Sequence, residues 1–210
     1  MLDEAGWERC QISASNSLDE YLIRDLLMQD ARIDMFGVGE RLITARSEPV
    51  FGGVYKLVAV ERPDGEIVPK IKVSENVIKI TVPHFKKIYR FYGRDNGKAL
   101  ADYLCLHDET VDDSDKFTIF DPDSTWKRKE LYHFEAKEIM VPVFRQGELV
   151  YKLPTLEEIR AHCAEQLDTL WDEVKRFENP HGYYVDLSQK LWDIRNDLLL
   201  HARNSQIPQK

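Results

Sequence analysis

Two short stretches carry the residue types and the spacing needed to hold a phosphate. Gly37-Val38-Gly39 ends the strand-like run that begins at Ile33, and Ser15-Asn16-Ser17 precedes a helical pattern 22 residues upstream. Glycines at a strand end let a backbone approach a ligand closely and turn consecutive amides toward an anion, although an ordinary tight turn uses the same residues. The Ser-Asn-Ser stretch leads into a helix whose first amides lack partners and whose dipole favours negative charge, although Ser17 can equally be a plain helix cap. A second group of candidates is cationic. Residues 51–98 contain 10 Lys and Arg against 5 Asp and Glu, a local charge of +5 in a chain whose remainder carries −13. Within that segment Lys56, Lys70, Lys72 and Arg90 suit pyrophosphate, lysine as a point charge and arginine as a fork. Lys70, Lys72 and Ser74 alternate as if on one strand face, a pattern that a solvated strand edge also shows.

Other chemistries lack their residues. There is no Gly-x-Ser-x-Gly elbow and no Gly-x-x-x-x-Gly-Lys loop, so no catalytic residue is assigned. The six histidines form no metal pattern, and Cys10, Cys105 and Cys163 are odd in number, far apart and without Cys-x-x-Cys spacing; no metal site and no disulfide framework is expected. "KKIYRFYGR" mixes bases with aromatics as single-strand nucleic-acid grooves do, but alternating aromatics in a strand describe a core, and the net charge of −8 opposes a nucleic-acid partner. No apolar run approaches the roughly 18 residues of a membrane span. No basic and then apolar opening marks a secretory signal, so a soluble, cytoplasmic protein is expected.

The elements that must position these residues follow from periodicity. "CQISA" (10–14) reads as a strand, "SLDEYLIRDLLMQ" (17–29) as a helix with Leu18, Leu22, Ile23, Leu26 and Leu27 on one side, and "RIDMFG" (32–37) as a second strand. Ser17 and Glu20 have capping-box spacing. A strand–helix–strand unit of this length has parallel strands, so the loops after the two strands meet at one sheet edge. Antiparallel hairpins are expected around Pro63-Asp64-Gly65, Asp95-Asn96-Gly97 and Gln146-Gly147. Two helices close the chain, one with Leu156, Ile159, Cys163, Leu167, Leu170 and Val174 in register, the other with Leu187, Leu191, Ile194 and Leu198, both opening on Thr or Asp caps. The expected class is α/β plus β hairpins, α+β overall, divided at 1–48, 49–130 and 131–210. Two parallel strands alone leave unpaired edges, which points to the carboxyl-terminal portion of a longer protein.

Taken in order, "SASNSLDEYLIRDLL", "IDMFGVGERLIT", "GGVYKLVAV", "PKIKVSE", "TWKRK" and "ENPHGYYVDLSQKLW" resemble the carboxyl-terminal part of bacterial nicotinate phosphoribosyltransferases over nearly the whole chain. The resemblance implies the last strand–helix–strand portion of a type II phosphoribosyltransferase barrel, a small antiparallel β region and C-terminal helices, with dimers usual. It implies a reaction joining nicotinate to phosphoribosyl pyrophosphate, releasing pyrophosphate and giving nicotinate mononucleotide for NAD synthesis, with ATP hydrolysis coupled through a phosphorylated histidine. Ser15, Asn16, Gly37, Val38 and Gly39 would then receive the 5-phosphate. Glu40 stands where many relatives have a threonine that contacts phosphoribosyl pyrophosphate, and a carboxylate there must turn away or pair, with Arg41 the adjacent cation. Pro83-His84 stands where relatives usually have Pro-Gly. The family's phosphorylatable histidine, its Asp-Ser-Gly-Asp stretch and most of its nicotinate pocket have no equivalent here. ATP and Mg therefore belong to the whole enzyme, and none is assignable to this chain. Holding both reactants in place can contribute about 7 to 11 kcal/mol, which half a site does not supply. An upstream barrel half or homodimer partner is expected, and the chain alone is expected to be inactive. The alternative is a non-catalytic phosphate- or nucleotide-binding module.

Overall fold

The computed structural model describes residues 1–50 and 52–205, with side chains through Ala202. Phe51, at the start of the basic segment, and residues 206–210, the end of the third expected region, lie outside it. The chain forms two compact units, Met1–Tyr55 and Lys56–Lys210. The boundary expected near residue 130 falls inside the second, because strands from both sides of it share one sheet.

In the first unit β1 (Ser13–Ser15), α1 (Glu20–Met28), β2 (Met35–Gly37) and the short α2 (Glu40–Ile43) follow in order. β1 and β2 are parallel, with Ser13 opposite Met35 and Ser15 opposite Gly37. The helix begins later than its apolar pattern suggests. Asp19, in extended conformation, accepts a hydrogen bond from the Leu22 amide at 2.9 Å and is the N-cap. Ser17 does not cap, because its φ of 52° places it in the left-handed region, outside the helix. Leu18, just ahead of the helix, is buried, whereas no residue within α1 is.

The second unit is a mixed β-sheet core with C-terminal helices. β3 (Ala59–Glu61) and β4 (Ile67–Pro69) form the hairpin around Asp64-Gly65, where Gly65 takes a φ of 85°. β5 (Lys86–Gly93) and β6 (Ala99–Leu106) form the long hairpin around Asp95-Asn96-Gly97. β7 (Phe117–Phe120) pairs with β8 (Arg128–Leu131), β9 (Phe134–Glu138) adds to the free edge of β5, and β10 (Phe144–Arg145) pairs with β11 (Glu148–Leu149) across Gln146-Gly147. The turns were legible because their chemistry is local; the β7–β8 pair and β9 have no such turn signal and were not foreseen.

Two helical expectations are corrected. α3 (Leu156–Thr169) opens on the Thr155 capping box but stops at Leu170, and only the single turn α4 (Asp172–Lys175) follows. The Asp168 and Leu170 carbonyls, which a continuing helix would use, accept instead from the Lys98 ammonium at 2.8 and 3.2 Å, while the Trp171 indole donates to the Ala99 carbonyl at 3.1 Å. At the last helix, Leu187 lies in a strand, β12 (Val185–Leu187), which pairs in parallel with β6. Ser188 Oγ accepts from the Leu191 amide and starts α5 (Gln189–Ser205), so the expected Asp186 cap is replaced by Ser188.

The core has two clusters, one on each face of the β12-β6-β5-β9 sheet, since Ala101 and Tyr103 of one alternate along β6 with Leu104 and Leu106 of the other. Phe91 is fully buried and touches Phe134, Phe117 and Tyr103 with ring centroids 5.1, 5.4 and 5.6 Å away, in a cluster with Ala101, Ile119 and Leu131. Aromatic packing of this kind accounts for "IYRFY" as core and not as a base-stacking surface. A second cluster joins Leu106, Leu187 and Leu191 and holds α5 to the sheet.

Replacing the true cap has a distinct signature. Asp19→Ala is expected to lower the urea midpoint of the first unit's helical signal, and Ser17→Ala to leave it within the narrow range of surface substitutions. Equal losses would contradict this cap.

Candidate functional site

The parallel register brings the two candidate loops to one edge. Ser15 Oγ donates to the Gly37 carbonyl at 3.3 Å, so the residues that follow each strand start side by side. Asn16 and Ser17 both adopt positive φ, 93° and 52°, an uncommon state for residues with a side chain, which costs on the order of 1–3 kcal/mol each and concentrates at ligand sites. The two glycines differ. A Cβ on Gly37 would lie 3.1 Å from Ser15 Oγ, so a larger residue here would push the Ser15 side chain aside by a few tenths of an ångström. A Cβ on Gly39 would meet nothing within 4 Å, so its bareness leaves open space beside the loop. The Gly39 carbonyl accepts from the Leu42 and Ile43 amides, both at 3.0 Å, which begins α2.

Glu40 is exposed at the start of α2, and its carbonyl accepts from Thr44 Oγ1 at 2.8 Å. The neighbouring Arg41 does not pair with it. Arg41 Nη1 donates to Asp19, and the Leu22 amide first and Arg41 after it hold the Asp19 carboxyl below the usual carboxylate range. A cavity of about 250 Å³ adjoins the pair and reaches Tyr21, Arg46 and Ser47. Arg46 is a cation of this unit that motif reading passed over; its only signal was a second arginine five residues after Arg41.

The cationic candidates of the second unit are placed differently from expectation. Lys70 and Lys72 lie beyond the end of β4 in irregular backbone, not on one strand face: the Lys70 amide donates to the Val58 carbonyl and the Lys72 amide to Thr81 Oγ1. Lys56, Lys70 and Lys72 are all exposed. Arg90 is already engaged. Its Nε and Nη2 donate to the two Asp102 oxygens at 2.7 and 2.8 Å, in a cross-strand pair that Tyr183 Oη completes at 3.0 Å. That fork is occupied by a carboxylate, so the pyrophosphate role read for Arg90 is not supported by its geometry.

His84, at the departure from Pro-Gly, does take the left-handed conformation, with φ 77°. The bend turns the Val82, Pro83 and His84 carbonyls toward the Lys86 ammonium at 2.8, 3.2 and 2.8 Å, and burial pushes the Lys86 pKa down.

A parallel strand–helix–strand unit with two loops gathered at the carboxyl edge, joined to a mixed β-sheet unit, is an α/β ligand-binding architecture. The family model described as nicotinate phosphoribosyltransferase C-terminal domain matches residues 85–195, and the chain belongs to that family. It is 43% identical over 192 residues to the nicotinate phosphoribosyltransferase of Bacillus subtilis, covering 91% of this chain and 39% of that protein. It is 36% identical over 196 residues to that of Caenorhabditis elegans, covering 92% and 34%. The chain therefore spans little more than a third of the length of these relatives. The crystal structure of human nicotinic acid phosphoribosyltransferase shares the fold, with a TM-score of 0.66 over 94% of this chain and 36% of that one at 24% identity.

Among the described residues no group of three or more His, Cys, Asp or Glu side chains is placed to hold a metal ion, so no residue is assigned to Mg and no step is routed through it. No helix among them is long and apolar enough to cross a membrane.

At position 84 glycine suits the backbone better than histidine. His84→Gly is expected to raise stability by about 0.5–1 kcal/mol, the left-handed cost outweighing the added freedom of the unfolded chain. Denaturant titration of both proteins checks the sign.

Proposed function

We propose that this chain supplies the phosphate end of the phosphoribosyl pyrophosphate site in a cytosolic nicotinate phosphoribosyltransferase, and that it does not complete the reaction alone. The observation that carries the reading is the parallel Ser15–Gly37 pairing, which starts two unusual loops at one edge beside the open face of Gly39. In this reading the amides around Asn16, Ser17 and Gly37 to Glu40 receive the 5-phosphate, with Val38 setting the spacing between the glycines. The exposed Glu40 side chain turns to solvent. Lys56, Lys70 and Lys72, exposed in the second unit, attract anions by their charge alone, and Arg90 is left out because Asp102 holds it.

The phosphate anchor serves the chemistry through position. Nicotinate's ring nitrogen bonds to the anomeric carbon as the carbon–oxygen bond to pyrophosphate breaks, and fixing the far end of the ribose removes freedom the transition state would otherwise lose. ATP hydrolysis and the nicotinate pocket are assigned to the upstream barrel half or to a homodimer partner. The described histidines support this division: His107 stacks on Phe85 at 4.8 Å, His133 contacts Asp95 at 3.2 Å, and the His181 amide donates to the Glu173 carbonyl. All three belong to the second unit, whereas the candidate loops belong to the first.

The purified 210-residue chain, given nicotinate, ATP and phosphoribosyl pyrophosphate, is expected to form no nicotinate mononucleotide above an enzyme-free control. Ribose 5-phosphate is expected to shift the amide resonances of residues 15–17 and 37–40. Gly39→Ala should weaken that binding about tenfold, roughly 1.4 kcal/mol, without lowering the melting temperature. Sustained turnover by the lone chain, or resonance shifts confined to other residues, would overturn the proposal.

A further inference from the structure

β12 places one carboxylate in a buried position. Asp186 is 2% exposed, opposite Tyr103 in the parallel pair with β6, and its side chain makes no hydrogen bond or ion pair with the described residues. It lines two adjoining cavities of about 390 and 280 Å³, together spanning the size range of small-molecule sites. The charged and titratable groups around it are Asp121 and Asp123 from the loop after β7, paired with Lys127 and Arg195, then Arg128 and Lys129 of β8, Tyr103 from β6, and Tyr183 and Tyr184 ahead of β12. Burial first, then the Asp121 charge, push its carboxyl up to about 6, with Lys129 pulling the other way. The unfolded chain releases this proton near the ordinary value of 3.8. The resulting loss of stability is absent below that pH, grows between the two values and is complete above about 6. At neutral pH the group is an ionised, acceptor-only side chain that weakens the fold it sits in.

The opposite wall is cationic and aromatic. Arg128 lies 5.6 Å over the Phe120 ring and Lys129 4.9 Å over the Tyr184 ring, and neither is held by a carboxylate among the described residues. Trp126, 77% exposed, stands at the rim with an indole face unused by the core. The lining thus brings together a buried acceptor, aromatic rings and the Arg128 and Lys129 cations, with Asp121 and Asp123 as further carboxylates. Its complement is a flat ring with adjacent N–H donors and an anionic tail.

We propose that this groove binds a guanine nucleotide, with Asp186 accepting from the base, Trp126 and Tyr184 flanking it, and Arg128 and Lys129 meeting the phosphate. Guanine is singled out by donor count. Its ring N–H and exocyclic amino group present two adjacent donors that match two carboxylate oxygens. Adenine and cytosine set a ring lone pair beside their amino donor, and uracil flanks its single N–H with two carbonyls, so each turns a lone pair on the carboxylate. Aromatic faces stack on any base and add affinity without choosing among bases.

The full 210-residue chain is titrated at pH 7.5 with GMP, AMP, guanosine and inorganic phosphate by calorimetry. With saturating ribose 5-phosphate present to fill the loops of the first unit, GMP is expected to saturate one site, AMP and guanosine to bind at least tenfold more weakly, and phosphate alone not to compete at GMP-saturating concentrations. Asp186→Asn should weaken GMP at least tenfold while raising the melting temperature by about 2–4 °C, so that lost binding is not lost folding. Trp126→Ala, at an exposed position, should weaken it severalfold. Gly39→Ala should leave GMP unaffected, which separates this groove from the ribose-phosphate loops. No saturable binding, equal affinity for GMP and AMP, displacement by phosphate alone, or GMP binding unchanged in Asp186→Asn would each overturn the proposal.

Discussion

The β5–β6 ladder is the constraint on which the larger unit depends. β5 is paired on both edges, to β6 and to β9, and β6 carries β12 on its other edge, so an error in this register would displace every strand of the sheet. Two opposed kinds of side chain hold the register. Phe91 points into the aromatic cluster on one face, while its neighbour Arg90 points to the other and grips Asp102 across the ladder through two hydrogen bonds. A one-residue slip would exchange these faces, placing a guanidinium among rings and a phenyl against a carboxylate. Tyr183 and Gln166 extend the polar side, tying the approach to β12 and helix α3 to the same two strands.

That ladder also decides what the carboxyl-terminal segment becomes. Lys98, at the start of β6, takes the carbonyls that would have continued α3, and the parallel edge of β6 captures Val185–Leu187 as a strand. Ser188 then starts α5, its hydroxyl also donating to Glu109, so the strand-to-helix change is fixed at one residue. The consequence for chemistry is Asp186, carried into a buried position by the strand and without a hydrogen-bonding partner for its side chain among the described residues.

The first unit follows a simpler rule with a similar outcome. Parallel pairing obliges the chain to leave both strands in the same direction, and a Cβ at Gly37 would crowd the Ser15 side chain at 3.1 Å. The backbone then enters the left-handed region at two successive residues before Asp19 starts the helix. Irregular backbone at such an edge is what a loop shaped around an anion requires. The two features proposed above as sites thus differ in kind, one set by backbone conformation and the other by side chains.

Local chemistry made much of this legible in the sequence. Asp64-Gly65, Asn96-Gly97 and Gln146-Gly147 act within four residues, and each hairpin formed where its turn residues stood; the parallel strand–helix–strand unit and the Thr155 capping box likewise need only neighbours along the chain. The placement of Ser15 and Gly37 at one edge followed from chain length and handedness alone. What tertiary structure decided were the competitions between distant groups. Helical spacing through Leu170 and Leu187 was real, yet Lys98 and the edge of β6 offered those backbones better partners. Lys70 and Lys72 alternated as a strand would but had no strand to pair with beyond Pro69. Arg90 looked like a free fork until Asp102 arrived opposite it. Sequence periodicity reports which conformations a segment tolerates, whereas hydrogen-bond partners and opposite charges become available only when remote strands are in register.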